Sequence, residues 1–264
     1  MGPEDGLSCA RSARGPPQRP STATMLIEQE ISMSQDTPAF SPRALAFKRH
    51  GFQYLLMVFL VFLLVGPFLE DTAFAKYFMD ICVTGILVLA AHAIDTRRRL
   101  LPGTRALLII TMSVLWLNSF GWLELGPKPA RILLLVFLTS LIYSFFAYVF
   151  SARRVDGNLI SATLCLYLLL GLAWGTAYAL LEAFIPGSFQ GHLIADSQLT
   201  GNTLSFFQYF SYVTLTSLGY GDILPATQQA AGLCQLEAII GQFFTAVVVA
   251  RLVGVQVSQQ FAQD

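Results

Sequence analysis

Polar and apolar positions in this chain fall into long blocks, neither in the 3.6-residue rhythm of a half-buried helix nor in the two-residue rhythm of a strand. Six blocks are nearly free of charge: Phe52 to Leu69, Phe78 to Ile94, Ala106 to Leu123, Ile132 to Phe150, Leu159 to Phe184 and Ala230 to Val255. An apolar run of about 20 residues crosses a bilayer core as a helix. Each block is therefore expected to span a membrane. Between the fifth and sixth blocks lies a polar loop, Pro186 to Asn202, and then Thr203 to Thr216, which is apolar and aromatic but too short to span. It reads as a re-entrant helix, because backbone ends at membrane depth are tolerated only against protein or a water-filled cavity. Residues 1–50 lack this pattern. With Gly15-Pro16-Pro17-Gln18-Arg19-Pro20 and many Ser, Thr and Gln, they read as a disordered tail. No short apolar core follows a basic start, so a cleaved signal peptide is not expected, and Met25 and Met33 are alternative starts.

Composition agrees. The 264 residues are 55% hydrophobic and 12% charged, which suits a membrane and not a soluble domain of this size. The formal net charge is zero, against a nucleic-acid partner. Cys82, Cys165 and Cys234 lie inside apolar blocks and Cys9 lies outside them. No disulfide framework and no metal spacing is implied.

Charge distribution supplies an orientation. Arg43, Lys48, Arg49, Arg97, Arg98, Arg99, Arg105, Arg153, Arg154 and Arg251 fall on one side of the six spans, against Lys76, Lys128 and Arg131 on the other. Basic loops stay in the cytoplasm, so both termini are expected to be cytoplasmic and the Pro186 to Asn202 loop to face outward in the cell membrane. From Val155 to Ala250 there is no Lys or Arg, while Asp156, Glu182, Asp196, Asp222 and Glu237 fall there. Such a bias concentrates cations.

The chemistry gathers in Thr214-Leu215-Thr216-Ser217-Leu218-Gly219-Tyr220-Gly221-Asp222. Positive φ in alternation with ordinary φ aims successive carbonyls one way, and glycine adopts positive φ without strain. Gly219 and Gly221 have that spacing. From Leu159 to Val257 the chain resembles the pore module of the tetrameric potassium-channel superfamily: outer helix, turret, pore helix, filter and inner helix. The family filter, Thr-Val-Gly-Tyr-Gly, replaces the hydration shell of K⁺ with rings of carbonyl oxygens. The matching residues here are Ser217, Leu218, Gly219, Tyr220 and Gly221, followed by Asp222. Ser217 stands for the family's Thr, keeping the hydroxyl but losing the methyl that stiffens χ1. Leu218 stands for Val.

The resemblance implies an all-α membrane protein of six transmembrane helices with a re-entrant pore helix and filter loop, assembled as a homotetramer. It divides the chain into the tail, 1–50, a peripheral four-helix domain, 51–157, and a pore domain, 158–264. K⁺ would sit at Ser217, Leu218, Gly219 and Tyr220, and no cofactor beyond the permeant ion is implied. Tyr209 and Phe210 occupy the family's aromatic pair, against which Tyr220 would pack. Asp222 would bond back to Tyr209. Thr214 and Thr216 would lie at the end of the pore helix whose dipole favours a cation, or be ordinary helix residues. Glu182 resembles the acid that ties the outer helix to the filter loop. Gly241 stands at the place of the family's hinge glycine, or is a close-packing site.

Spacing puts Gln242, Thr245 and Val249 on one face of the last helix, lining a cavity or bonding between helices. Ala246, Ala250 and Gly254 form a small-residue stripe, and Gly171 with Gly175 a second. Glu237 is an intramembrane acid, read either as a charge behind the filter or as a protonated side chain bonded to a neighbouring helix. The fourth span carries no Lys or Arg between Ile132 and Phe150, so it is no voltage sensor, and nine residues after Val255 leave no room for a ligand-binding domain. His92 and His192 read as interfacial or solvated. A weakly selective cation channel, an ion-gating subunit of a transporter and an intramembrane hydrolase are the rival readings. The last lacks a nucleophile elbow and a His-Glu-x-x-His motif, so no enzyme activity is expected.

Overall fold

In a computed structural model of the chain, the described residues are 42–69, 75–95, 102–120, 122, 127–152, 154–194 and 203–261. They are mostly helical. Helix α1 runs Pro42–Val65 and passes into a 3₁₀ turn at Gly66–Leu69, α2 is Ala75–Asp95, α3 Pro102–Ser119 and α4 Pro127–Ser151. Then come α5, Gly157–Phe184, β1, Phe189–Gln190, α6, Thr203–Leu215, β2, Leu224–Pro225, and α7, Gln228–Phe261. Residues 45–264 form one compact unit, and residues 1–44 contribute only the first residues of α1 to the described set. The tail expected over 1–50 therefore gives way to helix at Pro42, and its residues 1–41 lie outside the described set.

Local chemistry explains the element boundaries. Pro102 and Pro127 occupy first helical positions, where the missing N–H costs nothing. Asp156 caps α5, its Oδ1 accepting from Leu159 N at 2.7 Å. Thr227 does the same for α7, accepting from Ala230 N at 3.3 Å.

Three helices among the described residues are long and apolar enough to cross a membrane: Lys128–Ser151, Gly157–Phe184 and Gln228–Phe261. Gly51–Val65 is apolar but shorter. The core is built from stripes. On α1, Phe52, Leu55, Phe59 and Phe62 are buried at helical spacing, and Cys165 Sγ of α5 meets the Phe52 carbonyl at 3.5 Å. On α4, Leu134, Phe137, Leu138, Leu141, Phe145 and Val149 face the same cluster.

Helix α6 packs on α5 through two glycines. A Cβ at Gly175 would lie 2.8 Å from the Gln208 Cα, and one at Gly171 would overlap the Tyr212 ring. This Gly171-x-x-x-Gly175 stripe thus brings two backbones close. The Tyr212 hydroxyl then reaches back to the Leu168 carbonyl at 2.9 Å.

Candidate functional site: the Gly-Tyr-Gly loop and its supports

The loop begins as the C-terminal cap of α6. Ser217 N bonds the Thr214 carbonyl at 2.9 Å and Leu218 N bonds the Val213 carbonyl at 2.9 Å. Together with φ of 57° at Ser217, these two bonds make a Schellman cap with Ser217 at the left-handed position usually held by glycine. A non-glycine residue there costs on the order of 1–2 kcal/mol, which the two capping bonds offset. Positive φ recurs at Gly219, 61°, and Gly221, 78°. Left-handed residues therefore stand at every second position from 217 to 221, where glycine supplies two of the three without strain.

Three contacts hold the loop's far end. The Tyr209 hydroxyl donates to Asp222 Oδ2 at 2.5 Å, and Asp222 Oδ1 accepts from Ile223 N at 3.0 Å. Burial, then the bond to Asp222, push the Tyr209 pKa up to about 12. After the loop, β2 pairs antiparallel with β1, Phe189 opposite Pro225 and Gln190 opposite Leu224. At Gly191 a Cβ would overlap the Asp222 carbonyl oxygen.

In the single chain the two neighbouring aromatics of α6 meet different partners. Successive residues of a helix point about 100° apart, which separates the neighbours of Tyr209 from those of Phe210. Phe210 is buried against Tyr178 and Phe189, with ring centroids 5.3 and 5.6 Å away, whereas Tyr209 faces Asp222. Tyr220 makes no ring pair among the described residues and is 67% exposed in the single chain. It borders, with Leu218, Tyr209 and Gln208, a cleft of about 410 Å³.

Glu182 lies in the last turn of α5. Its carboxylate accepts from Gly187 N at 2.8 Å and Phe189 N at 3.2 Å. Among the described residues it ties α5 to β1, which pairs with β2 just after the loop. Deleting it would leave two backbone donors without this acceptor, at roughly 1–3 kcal/mol for each one that stays buried.

Gly241 sits where α7 crosses the end of α6. A Cβ there would overlap the Leu215 carbonyl oxygen, and α7 runs helical through it. Gly241 is thus a close-packing site in this structure, with α7 helical on both sides of it. One residue further, Gln242 Nε2 donates to Ser217 Oγ at 2.8 Å. Thr245 and Val249 share the exposed face of α7 with Gln242, and Thr245 Oγ1 bonds the Gly241 carbonyl at 3.0 Å. Ala246, Ala250 and Gly254 are exposed in the single chain. Thr216 Oγ1 bonds the Tyr212 carbonyl at 2.7 Å, as an ordinary helix-end hydroxyl does, while Thr214 contributes its carbonyl to the cap. His92 and His192 are exposed, and Asp196 lies outside the described residues.

Sequence reading missed several supports. Tyr178 and Ser211 meet Glu237 in the interior, Tyr167 donates to the Leu215 carbonyl at 3.2 Å, and Arg251 donates to the carbonyls of Phe150 and Ala152 at the end of α4. A buried acid always needs partners, which was the one available signal for the first two.

Residues 162–257 match a family model described as an ion channel. This stretch is an ion-channel domain. The capped loop, its Asp222 brace and the α5, α6 and α7 helices all lie within it, apart from the first turns of α5 and the last residues of α7. No curated protein and no solved structure matches the chain. With its ion-channel domain and three long apolar helices, the chain is a membrane protein.

Proposed function

We propose that the chain conducts K⁺ passively through a ring of Gly-Tyr-Gly loops contributed by four copies. The observation that carries this reading is the alternation of positive φ at Ser217, Gly219 and Gly221, the backbone form that lets consecutive carbonyls face one axis and stand in for hydration water. Ser217, Leu218, Gly219, Tyr220 and Gly221 are the proposed ion-binding residues, and Tyr209, Phe210, Asp222 and Glu182 hold them in place. The fold is then six spans around this re-entrant segment, α1 to α3 supplying the first three. Both termini lie in the cytoplasm of a cell-membrane protein, in keeping with the bias of Lys and Arg.

Two features favour the assembly. One chain has a single loop, and a closed ring needs several. Of the three long apolar helices α7 is the least covered, 11% of its most apolar window being buried against 56% for α5. Further copies would cover one side of α7 and leave Gln242, Thr245 and Val249 along a central cavity. The proposed activity is transport down a gradient, without catalysis and without a cofactor.

A weakly selective cation channel is the second reading, favoured by Ser217 and Leu218 at the loop's inner end. Purified chain in liposomes under opposed K⁺ and Na⁺ gradients separates the two. A reversal potential close to the K⁺ equilibrium value is expected, one near zero would establish weak selectivity, and absence of any cation flux would favour a subunit that gates another transporter. Gly219→Ala is expected to abolish conduction while the oligomer survives, because alanine resists φ of 61°.

A further inference from the structure

Glu237 lies on α7, fully buried, beside two hydroxyls that are also fully buried. The Tyr178 hydroxyl of α5 donates to its Oε2. Its Oε1 stands 2.5 Å from Ser211 Oγ of α6, and that same Oγ stands 2.8 Å from the Gly171 carbonyl of α5. A hydroxyl has one hydrogen, and a carbonyl only accepts. With Glu237 ionised, Ser211 would have to serve two acceptors with one hydrogen, and one of these short oxygen pairs would face without a proton between them. A proton on Oε1 resolves the count. Glu237 then donates to Ser211, Ser211 donates to Gly171, and Tyr178 donates to Glu237, so every hydrogen has one acceptor.

We propose that Glu237 carries a proton and is the neutral centre of a chain running Tyr178, Glu237, Ser211, Gly171, which positions α6 against α5 and α7. The surroundings agree. No Lys or Arg occurs from Val155 to Ala250, and the titratable groups around the carboxyl are Tyr167 and Tyr178 of α5, Tyr212 of α6 and Cys234 of α7. Tyr167 and Tyr212 are committed to the carbonyls of Leu215 and Leu168. A buried carboxylate without a cation carries a large desolvation penalty. Because α6 ends in the cap that starts the Gly-Tyr-Gly loop, fixing α6 fixes the loop's root. Glu237 is thus a positioning residue and not a fixed negative charge drawing cations inward.

Wild type, Glu237→Gln and Glu237→Ala are compared as full chains in liposomes. Glutamine mimics the neutral acid, its carbonyl accepting from Tyr178 and its amide donating to Ser211. The infrared spectrum of wild type at neutral pH is expected to show the carbonyl band of a protonated carboxylic acid that Glu237→Gln lacks. Glu237→Gln should keep wild-type K⁺ flux and thermal stability, whereas Glu237→Ala should lose both. Absence of that band, or loss of flux in Glu237→Gln equal to that in Glu237→Ala, would overturn the proposal. The flux arm rests on the channel reading; if wild type itself carries no flux, that reading fails and the infrared band alone decides the state of Glu237. If Glu237→Ala does not fold, the other two proteins still decide it.

Discussion

Gln242 on α7 donates its side-chain amide to the hydroxyl of Ser217 at 2.8 Å, joining two residues 25 positions apart at the inner end of the Gly-Tyr-Gly loop. Serine lacks the β-methyl that stiffens threonine. The amide does by hydrogen bonding what the methyl would do by sterics, holding the hydroxyl in one orientation.

That relationship predicts a selectivity defect. A hydrogen bond of this kind contributes about 0.5–1.5 kcal/mol, so Gln242→Leu is expected to lower the K⁺ over Na⁺ permeability ratio by roughly two- to tenfold. Ser217→Thr added to Gln242→Leu should restore part of it. Reversal potentials in planar bilayers measure both, and a ratio unchanged in Gln242→Leu would show the bond to be idle.

Tyr209 and Asp222 give a prediction in pH. The tyrosine is raised to about 12 from an ordinary value of about 10. The folded loop therefore binds this proton more tightly than the unfolded chain. Its contribution is complete below pH 10 or so and declines as pH rises through about 12. The rate at which sustained currents collapse should accordingly be flat up to the ordinary tyrosine range and climb above it. Tyr209→Phe should collapse faster than wild type below about pH 10 and show no such climb, and Asp222→Asn should collapse faster at neutral pH.

Gly241 is expected to tolerate no side chain. Gly241→Ala drives a methyl into the Leu215 carbonyl, an overpacking that typically costs about 1–3 kcal/mol. Gly232→Ala on the same helix meets nothing within 4 Å and should be neutral or gain up to about 1 kcal/mol from helix propensity. Thermal unfolding of the two variants in detergent tests the contrast. Equal melting temperatures would mean that α7 does not press on α6 at this point.

Much of this was legible before any coordinates. Uncharged blocks located α4, α5 and α7 because membrane insertion depends on composition summed over a local window. The glycine spacing at 219 and 221 announced unusual φ because that demand is met residue by residue. Ser217 was harder. Its left-handed φ belongs to a Schellman cap, and serine there has no sequence signature, since the cap forms only once α6 stops at Leu215. Tyr209 and Phe210 were read as one pair although the helix sends them to different neighbours.

By itself the sequence determined a membrane protein with one glycine-alternating loop between apolar helices, because hydropathy and backbone freedom are local properties. Beyond the Tyr209–Asp222 brace that the family resemblance implied, only the tertiary structure decided who supports that loop. Gln242 meeting Ser217, Gly241 admitting the Leu215 carbonyl and Glu237 joining Tyr178 to Ser211 all depend on how α5, α6 and α7 cross. Crossing geometry is set by the close approach at Gly171, Gly175 and Gly241, a matter of distances between residues that lie far apart in the chain.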